Sequence, residues 1–153
     1  MSANPDYRDL FKIFLEEKVE YLIVGAHAVI FYAEPRYTKD IDIWVRPSDD
    51  NASRVWRVLK KFGAPMEGLT VKDFTNQELV YQIGVEPNRI DIMMGIKGVE
   101  FDIAWKNKVE SSYDGIPIYI LGRNELINAK KAGSRPQDLL DLEKLIPLKG
   151  KIQ

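Results

Sequence analysis

The stretch "YTKDIDIWV", residues 37–45, sets two aspartates one residue apart inside an otherwise apolar run. With the stop at Pro47, "KDIDIWVRP" (39–47) has the pattern of a short β-strand. Side chains alternate across a strand, so Asp40 and Asp42 share one face and Ile41 and Ile43 the other. Two carboxylates held side by side repel each other unless a cation sits between them. A half-exposed strand with acids on its wet face would also explain a lone D-x-D. Trp44, however, continues on the acids' face, which argues against a face simply washed by solvent.

Working outward, "VEYLIVG" (19–25) reads as a strand ended by Gly25, and "AHAVIFYA" (26–33) as a helix closed by the Glu34–Pro35 step. Ahead of them, "NPDYRDLFKIFLEEK" (4–18) places Leu10, Phe11, Phe14 and Leu15 on one helical stripe, with Asn4 as cap and Pro5 in the first turn. Downstream, "SDDNASRVWRVLKKFG" (48–63) is an amphipathic helix capped by Ser48, Asp49 or Asp50, its stripe being Val55, Val58, Leu59 and Phe62. "ELVYQIGV" (78–85) and "RIDIMMGI" (89–96) are strands separated by the turn signal "EPN". "GVEFDIAWKN" (98–107) fits a short helix or a strand, and "GIPIYIL" (115–121) is a late strand. "GRNELINAKKAG" (122–133) and "SRPQDLLDLEKLIPL" (134–148) are closing helices, the second capped by Ser134 with Leu139, Leu142, Leu145 and Ile146 inward. The pattern predicts an α+β fold: one domain over 1–153, a small twisted mixed sheet flanked by helices, with two C-terminal helices at about 123–146 packed on it.

A third acid, Asp91, lies in "RIDIMM", where Met93 shares its face. If that strand lies beside the first, three carboxylates converge. Oxygen donors so grouped suit Mg²⁺ or Mn²⁺ and can hold two metals for in-line phosphoryl or nucleotidyl transfer. Gly25 permits a tight turn, and the helix that follows offers free N–H groups to a phosphate.

Taken as one string, "VGAHAVIFYAEPRYTKDIDIWV" (24–45) resembles the nucleotidyltransferase superfamily that includes DNA polymerase β: glycine-glycine or glycine-serine, a helix, then a D-x-D strand. More narrowly the chain is similar to the AbiEii-type bacterial nucleotidyltransferases, the toxins of abortive-infection toxin–antitoxin systems, and to their small relatives. The likeness extends over nearly the whole chain and ends in "NAKKAGSRPQDLLDLEKL" (128–145). It implies a polymerase-β-like fold that uses an NTP with Mg²⁺ or Mn²⁺. Asp40, Asp42 and Asp91 would be the catalytic metal ligands, Asp91 also helping to deprotonate an acceptor hydroxyl. Lys130 would meet the triphosphate, Gly25, Ala26, Arg36 and Thr38 would contact nucleotide, and Asp138, with Asp141, would build the site. Ala26 departs from the usual second glycine or serine; it keeps the backbone N–H but loses a hydroxyl.

Two residues have simpler readings beside these. Arg89, just before the Asp91 strand, reads as structural or charge-balancing, and His27, the only histidine, as filling a partly buried niche. Trp44, Trp56 and Trp105 read as core or rim aromatics.

Composition narrows the setting. With 45% hydrophobic residues, 29% charged residues and a net charge of -1, no global attraction to nucleic acid or membrane is implied. The absence of cysteine excludes disulfides and thiolate chemistry. No apolar run nears the roughly 20 residues that span a bilayer, and the N-terminus lacks a signal-peptide pattern, so a cytoplasmic protein is expected. The acceptor, whether an RNA end, a protein hydroxyl or a small molecule, is not selected by any motif, and a toxin role with an antitoxin partner rests on the resemblance. An antibiotic-type adenylyltransferase, a non-catalytic nucleotide- or partner-binding domain and a structural α+β domain are the rival readings.

Overall fold

The computed structural model describes residues 4–33, 38, 40–85 and 88–146. Six strands form one mixed sheet in the order β3-β4-β2-β1-β6-β5. They are β1 (Tyr21–Val24), β2 (Asp40–Val45), β3 (Val80–Ile83), β4 (Arg89–Met93), β5 (Val109–Tyr113) and β6 (Ile116–Ile120). The helices are α1 (Pro5–Glu17), α2 (Gly25–Tyr32), α3 (Asp49–Phe62), α4 (Phe101–Lys106), α5 (Arg123–Gly133) and α6 (Pro136–Leu145). β2 runs parallel to β4 and antiparallel to β1, while β1 runs parallel to β6. This is the α+β arrangement of a mixed sheet flanked by helices that the hydrophobic pattern predicts.

The apolar alternation of β2 drives the core. Ile41, Ile43 and Val45, on the face opposite the acids, are buried with Leu10, Phe11 and Phe14 of α1 and with Val55, Val58 and Leu59 of α3. Burying such side chains is worth about 1.5–3 kcal/mol each, the main force holding helices to the sheet. Asn4 caps α1 as expected, accepting from the Asp6 and Tyr7 N–H groups. Ser48 caps α3, and Gly63 ends it in the left-handed conformation. Buried Asn51 on α3 closes the far end of the sheet: its amide accepts from the Glu20 N–H and donates to the Glu20 and Arg46 carbonyls. Among the described residues no helix is long and apolar enough to cross a membrane.

Several local expectations are corrected. Leu15 is exposed, because the buried stripe of α1 is carried instead by Tyr7. "GVEFDIAWKN" resolves to the short helix α4, whose Phe101 packs edge-on against Trp44. Ser134 does not cap α6: it ends α5 with φ 56°, and Arg135 is the α6 cap residue. The inward face of α6 is accordingly set by Asp138, Asp141 and Leu145, while Leu139 and Ile146 face outward. The strand β5 was not anticipated; it pairs with β6 through a two-residue turn, Asp114-Gly115, both with positive φ. The Glu34–Pro35 step lies outside the described residues.

Candidate active site

The register of β2 against β4 builds the site. Asp40 pairs with Arg89 and Asp42 with Asp91, so three acids and one base form a square on one face of the sheet. One carboxylate oxygen from each of Asp40, Asp42 and Asp91 lies within 4.8 Å of the others. Asp91 is buried, whereas Asp40 and Asp42 are half-buried. Burial, and then the charges of Asp40 and Asp91, push the Asp42 carboxyl up to about 7, and the charge of Lys130 opposes this only in part. Without a cation, this arrangement holds a proton near neutral pH.

Arg89 offsets part of the charge. Its Nη2 donates to Asp40 Oδ2 at 2.5 Å and to Asp91 Oδ2 at 3.1 Å, and its Nε to Asp91 Oδ1 at 3.0 Å. The charge-balancing role read from sequence is thus visible in its geometry.

On the other side, β1 sets Val24 against Asp42, and the chain then turns into α2 at Gly25 with φ +66°. A Cβ at Gly25 would lie 2.2 Å from Asp42 Oδ2, so the carboxylate rests against a position that only glycine can fill. Val24, at the cap position of α2, has no polar side chain, so among the described residues no side-chain cap bond closes the start of this helix. The Thr38 hydroxyl donates to the Asp40 carbonyl at 3.0 Å and so braces the strand entry. Arg36 lies outside the described residues.

Two groups sit behind the acids. His27 is half-buried against Tyr7, ring centroids 6.0 Å apart, and bonds the Asp40 backbone; burial lowers its pKa, with Asp40 opposing. This is the niche role expected of it. The Tyr7 phenol donates to the Arg89 carbonyl at 3.3 Å and is pushed up to about 12, by burial first and then by the nearby acids and Tyr113.

Facing the triad, α5 and α6 contribute a buried ion cluster. Lys130 Nζ lies 3.3 Å from Asp138 Oδ1 and 3.0 Å from Asp141 Oδ2, with all three side chains buried. Gln137 donates to Asp141 at 2.9 Å. Arg135 donates its backbone N–H and Nε to Asp138 Oδ2, both at 3.0 Å. Burial alone would raise the Asp138 carboxyl; the Arg135 hydrogen bonds and the Lys130 charge outweigh it and hold the group at about 2. Gly133 is needed for this corner, since a Cβ there would stand 2.3 Å from Asp138 Oδ2.

A cleft of about 490 Å³ joins these parts. Gly25 and the triad line it together with Lys130, Arg135 and Asp138, and Val80, Met93 and Ile96 supply apolar wall. Sequence reasoning passed over Arg135 and Lys97 as lining residues; the Arg135-Pro136 helix start with Asp138 three residues on was the available signal for the first. Trp44, Trp56 and Trp105 do not line this cleft. A separate cavity of about 380 Å³ adjoins Trp44, Arg46 and Phe101, where Arg46 is committed to Glu20 and Asp102.

No protein-family model matches the chain, and no curated protein matches it in sequence. Solved structures do. The lincosamide antibiotic adenylyltransferase LnuA, lincomycin-bound, superposes with a TM-score of 0.60 at 15% identity, covering 97% of this chain and 100% of LnuA. The proposed nucleotidyltransferase TM1012 from Thermotoga maritima gives 0.59 at 18% identity, covering 93% of each chain. The antibiotic-resistance factor ANT(2'')-Ia gives 0.59 at 11% identity, over 90% of this chain and 79% of that one. The chain therefore has the polymerase-β-like nucleotidyltransferase fold expected from its sequence.

Proposed function

From this fold and the triad it presents, we propose that the chain is a metal-dependent nucleotidyltransferase that moves a nucleoside monophosphate from an NTP to a hydroxyl acceptor. The observation that carries the proposal is the meeting of Asp40, Asp42 and Asp91 within 4.8 Å beside Gly25, in one cleft with Lys130. Three hard oxygen donors fit Mg²⁺ or Mn²⁺, and the Arg89 guanidinium already stands among them as a cation. Bound there, a divalent ion supplies charge neutralisation and Lewis acidity at the phosphates.

The protein groups divide the remaining work. Asp40 and Asp42 would hold the metal. The first N–H groups of α2 at Gly25 and Ala26 cradle phosphate oxygens, assisted by the helix dipole. Lys130, kept in place by Asp138 and Asp141, offers positive charge toward the β- and γ-phosphates. By the family resemblance, Arg36 and Thr38 would complete the nucleotide contacts. Asp91 accepts the proton of the acceptor hydroxyl as its oxygen bonds to the α-phosphorus; the bond from that phosphorus to the α,β-bridging oxygen breaks, and pyrophosphate leaves.

For the acceptor, a small hydroxylated molecule is the reading we favour. Its support is the overlap along nearly full length with LnuA, whose acceptor class is an antibiotic. The AbiEii-type resemblance supports a second reading: a toxin acting on RNA or protein, with an antitoxin partner. The test is incubation with each labelled NTP and Mg²⁺ or Mn²⁺, in parallel with lincomycin, an aminoglycoside, total cellular RNA and total protein. Label on a small molecule supports the first reading, and label on RNA or protein supports the second. Pyrophosphate release that persists unchanged in Asp42→Ala would refute the catalytic assignment.

A further inference from the structure

Resting on the metal-site reading above, we propose that Arg89 is a built-in competitor for the metal position, which makes divalent-ion binding and nucleotide binding depend on each other. The sequence sets this up: in "RIDIM" Arg89 and Asp91 are two apart and share a face, and the β2–β4 register puts Arg89 directly opposite Asp40. The guanidinium consequently bonds two of the three triad acids, Asp40 at 2.5 Å and Asp91 at 3.0 and 3.1 Å. An ion that enters among the same oxygens must break these charge-assisted bonds and leave the guanidinium without them. Such an ion binding alone is therefore weakened.

A nucleotide changes the balance. Arg89 lines the same cleft as Gly25 and Lys130, where the triphosphate is placed. Its side chain is about three-quarters buried and reaches solvent through that cleft. A guanidinium displaced by the ion finds phosphate oxygens in place of carboxylates. Ion and nucleotide then each raise the affinity for the other by the same factor, as linkage requires.

The test measures Mn²⁺ binding by the loss of the free-ion electron paramagnetic resonance signal, with and without a non-hydrolysable NTP analogue, the chelation of Mn²⁺ by the analogue itself being measured without protein and subtracted. Wild type is compared with Arg89→Met and Arg89→Lys. In wild type the analogue is expected to tighten Mn²⁺ at least about tenfold. In Arg89→Met, Mn²⁺ alone binds at least about tenfold tighter than in wild type and the added effect of the analogue shrinks; Arg89→Lys falls between. A thermal scan guards against misfolding: Arg89→Met melts lower than wild type in EDTA and gains more from Mg²⁺. Equal or weaker Mn²⁺ binding by folded Arg89→Met overturns the competitor role and leaves the metal site standing. Failure of both proteins to bind Mn²⁺, with analogue present, overturns the metal-site reading and this inference with it.

Discussion

Gly25→Ala tests most directly how the glycine turn and the acids depend on each other. Gly25 has φ +66°, where an L-residue is strained by about 1–2 kcal/mol. Replacing glycine also removes freedom from the unfolded chain, which returns about 0.4–1 kcal/mol. The larger effect is steric. The new methyl would stand 2.2 Å from Asp42 Oδ2, so the carboxylate has to retreat by about 1.2–1.8 Å to reach an ordinary contact. Turning Asp42 off its rotamer adds about 0.5–1.5 kcal/mol. The net loss is about 1–2 kcal/mol, a fall in Tm of about 2–8 °C for a chain of this size. A metal ligand tolerates displacements of only about 0.2 Å, so Mn²⁺ affinity should fall at least tenfold, far out of proportion to stability. Urea denaturation gives the first quantity and Mn²⁺ titration the second. A variant with wild-type Mn²⁺ affinity would show that Asp42 does not need the space above Gly25, and the reasoning would fail.

Further expectations follow from neighbouring groups. Asp42 is lifted from the ordinary 3.8 to about 7, so in EDTA the folded state holds a proton that the unfolded state has lost, and stability should fall as pH rises from about 4 to about 7. Asp42→Asn removes this slope, as urea midpoints across that range will show. Asp138 behaves oppositely: held at about 2, it stabilises above pH 4, and its contribution is lost as pH falls toward 2, a limb that Asp138→Asn flattens in an acid titration of the far-ultraviolet circular dichroism. Lys130→Met strips a buried cation from Asp138 and Asp141 and should cost about 3 kcal/mol in urea denaturation, besides raising KM for the NTP. Ala26→Ser restores a hydroxyl beside the α2 N–H groups; the NTP KM should drop about two- to tenfold with Tm nearly unchanged.

The parts of the site that sequence made legible are those governed by period two. Asp40 and Asp42 on one face, with Ile41 and Ile43 opposite, needed only strand alternation, and Asp91 needed one further assumption, that β4 lies beside β2. The C-terminal corner was less legible because helix starts depend on local bonds that spacing does not reveal. Apolarity points Leu139 and Ile146 inward on α6, where two aspartates in fact share the interior with Leu145. Polar residues there defeat a rule that reads burial from apolarity. β5 was missed for the same reason: "VESSY" has little apolar content, and the Asp114-Gly115 turn, not the strand itself, carried the signal. The bond from Arg89 to Asp40 lies beyond one-dimensional reading, since it depends on which residue of a separate strand comes to rest opposite Asp40.

The alignment of β4 along β2 has a consequence for which changes this chain tolerates. A slip of one position would throw Asp91 onto the other side of the sheet and, in the same stroke, turn Ile90 and Ile92 away from their packed neighbours. An insertion within either segment therefore disturbs the packed interior together with the acid cluster. The spacing of the acids is thus locked to the packing of the hydrophobic interior, and a change that shifts one shifts the other.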